Sequence, residues 1–194
     1  MPDGFDIVAL AASAGGLKAL TEVLAALPAK FAAAIVVVQH LDPRHRSLMA
    51  DLLGRRTAIK VREAIDGERI QPGTAYIAPP DRHLLVNTDG SISLTRSELV
   101  HFVRPSADLL FESVAASFRE RAIAVVLSGT GSDGSMGVKA IKKTGGTVIV
   151  QDQRSAEFTG MPDAAERTGS ADFILPLEEI AGALQTLVGA GRQA

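Results

Sequence analysis

The 194-residue chain is predicted to be one α/β domain: a mostly parallel sheet with crossover helices and an antiparallel hairpin inserted partway along. Three observations lead there. Short, continuously apolar runs alternate with segments of helical apolar spacing, the pattern of strands buried on both faces and joined through helices. The middle of the chain breaks this rhythm around Asn87-Thr88-Asp89-Gly90-Ser91, where the Asp-Gly pair is a hairpin signal. The composition, 46% hydrophobic and 22% charged, is that of an ordinary globular chain long enough to bury a sizeable core.

Taken in order, Ile7 to Leu10 reads as a buried strand. From Leu17 the apolar positions Leu17, Leu20, Val23, Leu24 and Leu27 repeat at helical spacing until Pro28 closes the helix. Ala34 to Val38 is a second buried strand, and a second helix is expected over Arg46 to Leu53. Lys60 to Arg62 and Ala75 to Ile77 are short strands set off by Asp66-Gly67 and Pro72-Gly73 turns. His83 to Val86 and Ile92 to Thr95 form the hairpin. Arg104-Pro105-Ser106 opens a helix whose apolar face carries Ala107, Leu110, Phe111, Val114, Ala115 and Phe118. The first rhythm then resumes: strand Ile123 to Leu127, a loop over Gly129 to Gly134, helix Met136 to Lys143, and strand Thr147 to Val150. Met161-Pro162 opens a short helix, Pro176 to Leu187 is the last one, and Val188 to Ala194 is expected to fray.

Composition also excludes function classes. A net charge of −2 implies no general attraction to nucleic acid or to an anionic membrane. The absence of cysteine removes disulfides, thiolate chemistry and Cys-based zinc sites. The acidic start, Met1 to Asp6, is not a signal peptide. Phe31 to Val38, the longest apolar run, is far shorter than the roughly 20 residues of a membrane span. A cytoplasmic protein with no direct membrane insertion is expected. No cofactor or metal is expected either: His40, His45, Asp81, His83 and His101 stand at no recognised ligand spacing.

In an open parallel sheet, ligands bind outside the carboxyl ends of the strands. Ser13 follows the first strand, His40 the second, and Asp133 the strand ending at Leu127, so all three fall on one edge. Each has an ordinary role if read alone: Ser13 and Asp133 as helix caps, His40 as a surface residue or a satisfied hydrogen-bonding group. Together they are the parts of a hydrolytic triad, with Ser13 as nucleophile, His40 as base and Asp133 as the group orienting the imidazole. Backbone N–H groups of Ala14 and Gly15, at the start of a helix, are candidate oxyanion donors. Gly129 to Gly134 is equally readable as a plain glycine turn or an anion-binding nest. A nucleotide site there is a third reading, although the loop lacks the lysine of a P-loop.

At these residues the sequence resembles the catalytic domain of chemotaxis protein-glutamate methylesterases (CheB). The motifs stand in order: Ser13-Ala14-Gly15-Gly16, Val38-Gln39-His40, Gly73-Thr74-Ala75-Tyr76-Ile77-Ala78-Pro79, Arg104-Pro105-Ser106-Ala107-Asp108, Leu127 to Gly134, and Phe158-Thr159-Gly160-Met161-Pro162. The resemblance implies a modified doubly wound sheet with flanking helices, and residues 1–194 as one catalytic domain without a receiver domain. It implies hydrolysis of glutamate γ-methyl esters on the cytoplasmic helices of chemoreceptors, releasing methanol, with deamidation of receptor glutamine in some members. By motif it assigns Ser13, His40 and Asp133 as the catalytic residues, adds Thr130 as an oxyanion donor, and makes the loops near Arg104 and Met161 candidate substrate walls. Where the family commonly has threonine, this chain has Ala14; where it has methionine and asparagine, this chain has Thr130 and Ser132. The chain is also similar to the esterase part of proteins fused to a receptor methyltransferase, which implies a separate receiver or methyltransferase protein as a partner. The rival expectation is a catalytically weak receptor-binding or regulatory module of the same fold.

Overall fold

The computed structural model describes residues 5–40 and 48–190. Its centre is strand β1 (Ile7–Ala12), six residues with no exposed surface. On one side β1 pairs in parallel with β2 (Ala34–Gln39), then come β4 (Thr74–Ile77) and the edge strand β3 (Lys60–Glu63). On the other side it pairs with β7 (Ala122–Val126), followed by β8 (Thr147–Gln151) and the edge strand β9 (Phe173–Leu175). All seven strands run parallel in the order β3-β4-β2-β1-β7-β8-β9. The chain builds one half of the sheet, then returns to β1 and builds the other. The carboxyl end of β1 is therefore the topological switch point, where loops diverge to opposite faces and leave a crevice.

Alternate residues of β1 feed two cores. Val8, Leu10 and Ala12 pack with α1 (Gly16–Ala25) and α6 (Leu177–Ala190). Ile7, Ala9 and Ala11 belong to the opposite core, which includes residues of α3 (Ala107–Phe118), α4 (Ser135–Lys143) and α5 (Gly160–Glu166). The antiparallel hairpin of β5 (His83–Val86) and β6 (Ile92–Thr95) joins that second core through Leu84, Val86 and Ile92. The hairpin has the bounds expected from the Asp89-Gly90 signal; Asn87 and Ser91 close it through a backbone bond of 2.8 Å.

Several expectations need correction. β9 was not expected; it is three residues long, and Phe173 and Ile174 are 42% and 45% exposed, so no buried apolar run announces it. Leu17 shares the helical spacing of α1 but is 41% exposed, because the helix turns it away from the sheet. The helix expected over Arg46 to Leu53 is α2 (Met49–Gly54), with Arg46 and Ser47 outside the described residues. The tail expected to fray from Val188 instead continues α6 to Ala190, and Val188 is buried among the core residues.

Candidate active site

Ser13 leaves β1 in a tight turn. The N–H of Gly16 donates to the Ser13 carbonyl at 2.8 Å, and Gly15, at the third position, has φ 74 and ψ −3. A type II turn requires that geometry there and favours glycine. The turn is also crowded: a Cβ on Gly15 would stand 2.7 Å from Ser128 Oγ. Gly15 is the N-cap of α1 and supplies no side-chain cap, so Ser13 is not the cap it resembles in isolation. Among the described residues, the Ser13 hydroxyl and the N–H groups of Ala14 and Gly15 make no hydrogen bond.

Ser128 holds this turn against the opposite loop. Its carbonyl accepts from Ser13 N at 3.0 Å. Its hydroxyl donates to the Ala14 carbonyl at 2.8 Å and accepts from Phe158 N at 3.0 Å. Gly129 donates to the Phe158 carbonyl and accepts from Met161 N, so three loops form one hydrogen-bonded surface. Thr130 is exposed at its rim, and among the described residues its N–H has no acceptor. Met161 is only 1% exposed and lies under Gly129, where a Cβ would come within 2.3 Å of its sulfur. It supports the loop from below and does not present a substrate wall. Arg104 is likewise a brace: its guanidinium donates to Asp81 Oδ1 and to the carbonyls of Arg96 and Ser97.

His40 Nε2 lies 2.8 Å from Asp133 Oδ2. A carboxylate only accepts, so Nε2 carries the proton and Nδ1 is left as the basic nitrogen. Asp133 is 4% exposed and fully occupied. Its Oδ2 also accepts from Ala107 N at 2.6 Å, and its Oδ1 accepts from Ser106 Oγ at 2.9 Å and Asp108 N at 3.0 Å. Asp133 therefore caps α3, a distant helix, while α4 beside it has Gly134 at its N-cap, which supplies no side chain of its own. Burial pushes the Asp133 carboxyl up. The His40 bond, the two backbone N–H bonds and the His40 charge more than offset this, and its pKa lies below the ordinary 3.8.

The capping is reciprocal. Asp108, in the first turn of α3, accepts from Met136 N at 2.9 Å and Gly137 N at 2.7 Å at the start of α4. Its other oxygen is buried without a hydrogen bond; His101 Nε2 stands 3.5 Å from it. Burial, aided by repulsion from Asp133, raises the Asp108 pKa despite the two N–H bonds and the nearby His101. His83 is a fully satisfied core histidine, accepting from Ser106 N at Nδ1 and donating from Nε2 to the Glu98 carbonyl.

The sequence points to no role for Asp108, Ser128 or Gln39; Ser106, read as part of the opening of a helix, is the N-cap of α3. For Gln39 and Ser128 a signal existed: each is a polar residue at the end of an otherwise apolar strand run. The buried Gln39 donates from Nε2 to the carbonyls of both Ser13, at 2.8 Å, and His40, at 3.0 Å. A groove of about 710 Å³ opens at Ser13 and runs along α1 toward Met49 and Arg56, with Leu17, Lys18 and Thr21 on its wall.

Fold and site together define a doubly wound α/β domain with a serine, a histidine and an inward-turned aspartate at its switch point. The chain belongs to the CheB methylesterase family, whose model matches residues 8–184. It is 42% identical over 193 residues to the protein-glutamate methylesterase/protein-glutamine glutaminase of Moorella thermoacetica, covering 97% of this chain and 46% of that protein. A relative from Leptospira interrogans is 40% identical over 177 residues, covering 91% of this chain and 92% of the relative. The crystal structure of the Thermotoga maritima CheB methylesterase catalytic domain superposes with a TM-score of 0.91 at 37% identity, covering 95% of this chain and 99% of that one. The chain thus spans nearly all of some relatives and about half of others. Among the described residues, no helix is long and apolar enough to cross a membrane.

Proposed function

We propose that this chain is a serine esterase that hydrolyses glutamate γ-methyl esters on chemoreceptor cytoplasmic helices, the activity for which its relatives are named. The observation that carries the reading is the 2.8 Å His40–Asp133 contact on loops that flank the Ser13 turn. Ser13 Oγ attacks the ester carbonyl while His40 Nδ1 takes its proton. The imidazolium that forms is stabilised by the Asp133 carboxylate at Nε2. The tetrahedral oxyanion is held by the unengaged N–H groups of Ala14 and Gly15 at the start of α1, with Thr130 N across the crevice. His40 then protonates the departing methoxide, releasing methanol, and activates water against the acyl-enzyme. Deamidation of receptor glutamine follows the same steps with ammonia as the leaving group.

Ala14 and Thr130, which differ from the common family residues, do not weaken this reading, because the donors required there are backbone groups that any residue but proline supplies. The groove along α1 is the proposed seat of the substrate segment, with Lys18 and Arg56 offering cations to an acidic partner. Met161 and Arg104 act behind that surface. The test is methanol release from a methylated receptor fragment by Ser13→Ala protein. Loss of release with retained receptor binding is expected. Wild-type release overturns the esterase reading, and receptor binding by the wild type without any hydrolysis identifies a binding module instead.

A further inference from the structure

The last backbone bond between β1 and β2 runs from His40 N to the Ala12 carbonyl at 3.1 Å. Beyond it Ser13 turns into α1, and among the described residues no backbone bond joins Ser13 to His40. The Gln39 amide bridges that gap, with one N–H to the Ser13 carbonyl and the other to the His40 carbonyl. Its orientation is unambiguous. The reversed amide would set its oxygen against two carbonyl oxygens, 2.8 and 3.0 Å away. The bridge has a cost, because Gln39 Oε1 is left buried without a hydrogen bond. A Cβ on Gly16 would stand 1.9 Å from Gln39 Oε1 and 2.8 Å from Ala12 Cβ, so the amide and β1 together require glycine there.

We propose that Gln39 is a positioning residue of the esterase reaction: its amide sets the separation and facing of the Ser13 hydroxyl and the His40 base. The inference rests on the esterase reading above. Gln39 is 5% exposed and lies at the Ser13 end of the groove, but its Nε2 is spent on the Ser13 and His40 carbonyls, so it acts through the two residues it ties. Serine and imidazole must meet within hydrogen-bonding reach for proton transfer, and the backbone bonds that hold them, Ser13 N to the Ser128 carbonyl and His40 N to the Ala12 carbonyl, do not tie one to the other. Ser13 keeps the Gly16 N–H on its carbonyl when the bridge is gone, so folding tolerates the loss better than catalysis does.

The test uses Gln39→Met and Gln39→Glu in the full chain, with methanol release from a methylated receptor fragment and thermal unfolding measured side by side. Gln39→Met removes the donor pair and the orphaned oxygen in nearly the same volume. Its kcat is expected to fall roughly tenfold to a hundredfold, the scale of a small misplacement of reacting groups. KM and the unfolding midpoint stay close to wild type. Gln39→Glu places a second oxygen against the two carbonyls. Its kcat relative to wild type at the same pH rises on acidification, as the introduced carboxyl gains a proton to donate. Unchanged kcat, an effect confined to KM, a kcat loss that vanishes after correction for folded fraction, or a flat pH ratio each overturns the proposal. If either variant fails to fold, Gly16→Ala turns the same amide from outside with the native glutamine in place, and must lower kcat likewise. Ser13→Ala, run in parallel, separates the two readings. If it keeps activity, the esterase assignment has failed; if it abolishes activity while Gln39→Met does not, only the role of Gln39 has failed.

Discussion

Replacing Asp133 with asparagine separates two duties that the structure gives to one carboxylate. Oδ2 serves His40 Nε2 and Ala107 N, and Oδ1 serves Ser106 Oγ and Asp108 N. An amide has one acceptor oxygen. With that oxygen in the Oδ2 position, the Ser106 hydroxyl can rotate to accept, but the Asp108 N–H meets another donor. With it in the Oδ1 position, the Ala107 N–H meets the donor, and His40 must offer Nε2 as an acceptor. The proton then sits on Nδ1, the nitrogen that the proposed reaction needs free, and the base is lost. Either way a helix N–H is orphaned and the negative charge leaves the N-terminus of α3. A bond to a charged acceptor together with a lost cap implies a stability loss of about 2–4 kcal/mol. For the rate, the wrong tautomer or the loss of the stabilising charge implies a fall in kcat approaching about 10⁴-fold. Urea unfolding at neutral pH reads the first quantity, and methanol release per folded molecule reads the second. Stability within about 0.5 kcal/mol of wild type, the ordinary range for an inconsequential substitution, would refute the capping argument. Unaltered turnover would refute the orientation of His40 by this carboxylate.

Three further outcomes are expected. Because the folded Asp133 pKa lies below 3.8, its contribution is complete above that value and is lost as pH falls through the lowered pKa. The stability gap between wild type and Asp133→Asn, followed by urea unfolding across the acid range, should therefore narrow only below about pH 3.8. Asp108 has the opposite sign: its pKa is raised, so its ionised form costs stability, and that cost disappears as pH drops. Asp108→Asn retains an acceptor for Met136 N and Gly137 N while removing the unbonded oxygen, and should unfold at higher urea at neutral pH, by about 1 kcal/mol. In Gly129→Ala the new methyl would lie 2.3 Å from Met161 Sδ and 2.9 Å from Ser13 Cβ. The flexible methionine can shift, but Ser13 is displaced, and kcat should drop by about tenfold or more in the methanol-release assay.

Most of the fold is legible in the chain itself, because burial on both faces of a parallel strand leaves a local mark. Ile7–Ala12, Ala34–Gln39 and Ala122–Val126 are apolar runs that need no tertiary knowledge to read, and Asp89-Gly90 announces the hairpin in the same way. Parallel direction then puts the residues after those runs on one edge, which is why the sequence alone groups Ser13, His40 and Asp133. Elements whose burial is partial, such as β9, or whose exposed side depends on a neighbour, such as Leu17 on α1, carry no such mark. The same holds for what each site residue touches. Asp133 caps α3, whose first turn lies 25 residues away in sequence at Asp108; Met161 packs beneath a loop it could have flanked; Gln39 reaches across a strand end to Ser13. Apolar periodicity records which side of an element faces away from water, and the sequence alone determines that. The direction of individual hydrogen bonds, including which imidazole nitrogen is left free, is set by distant chain segments brought together, and only the tertiary structure decides it.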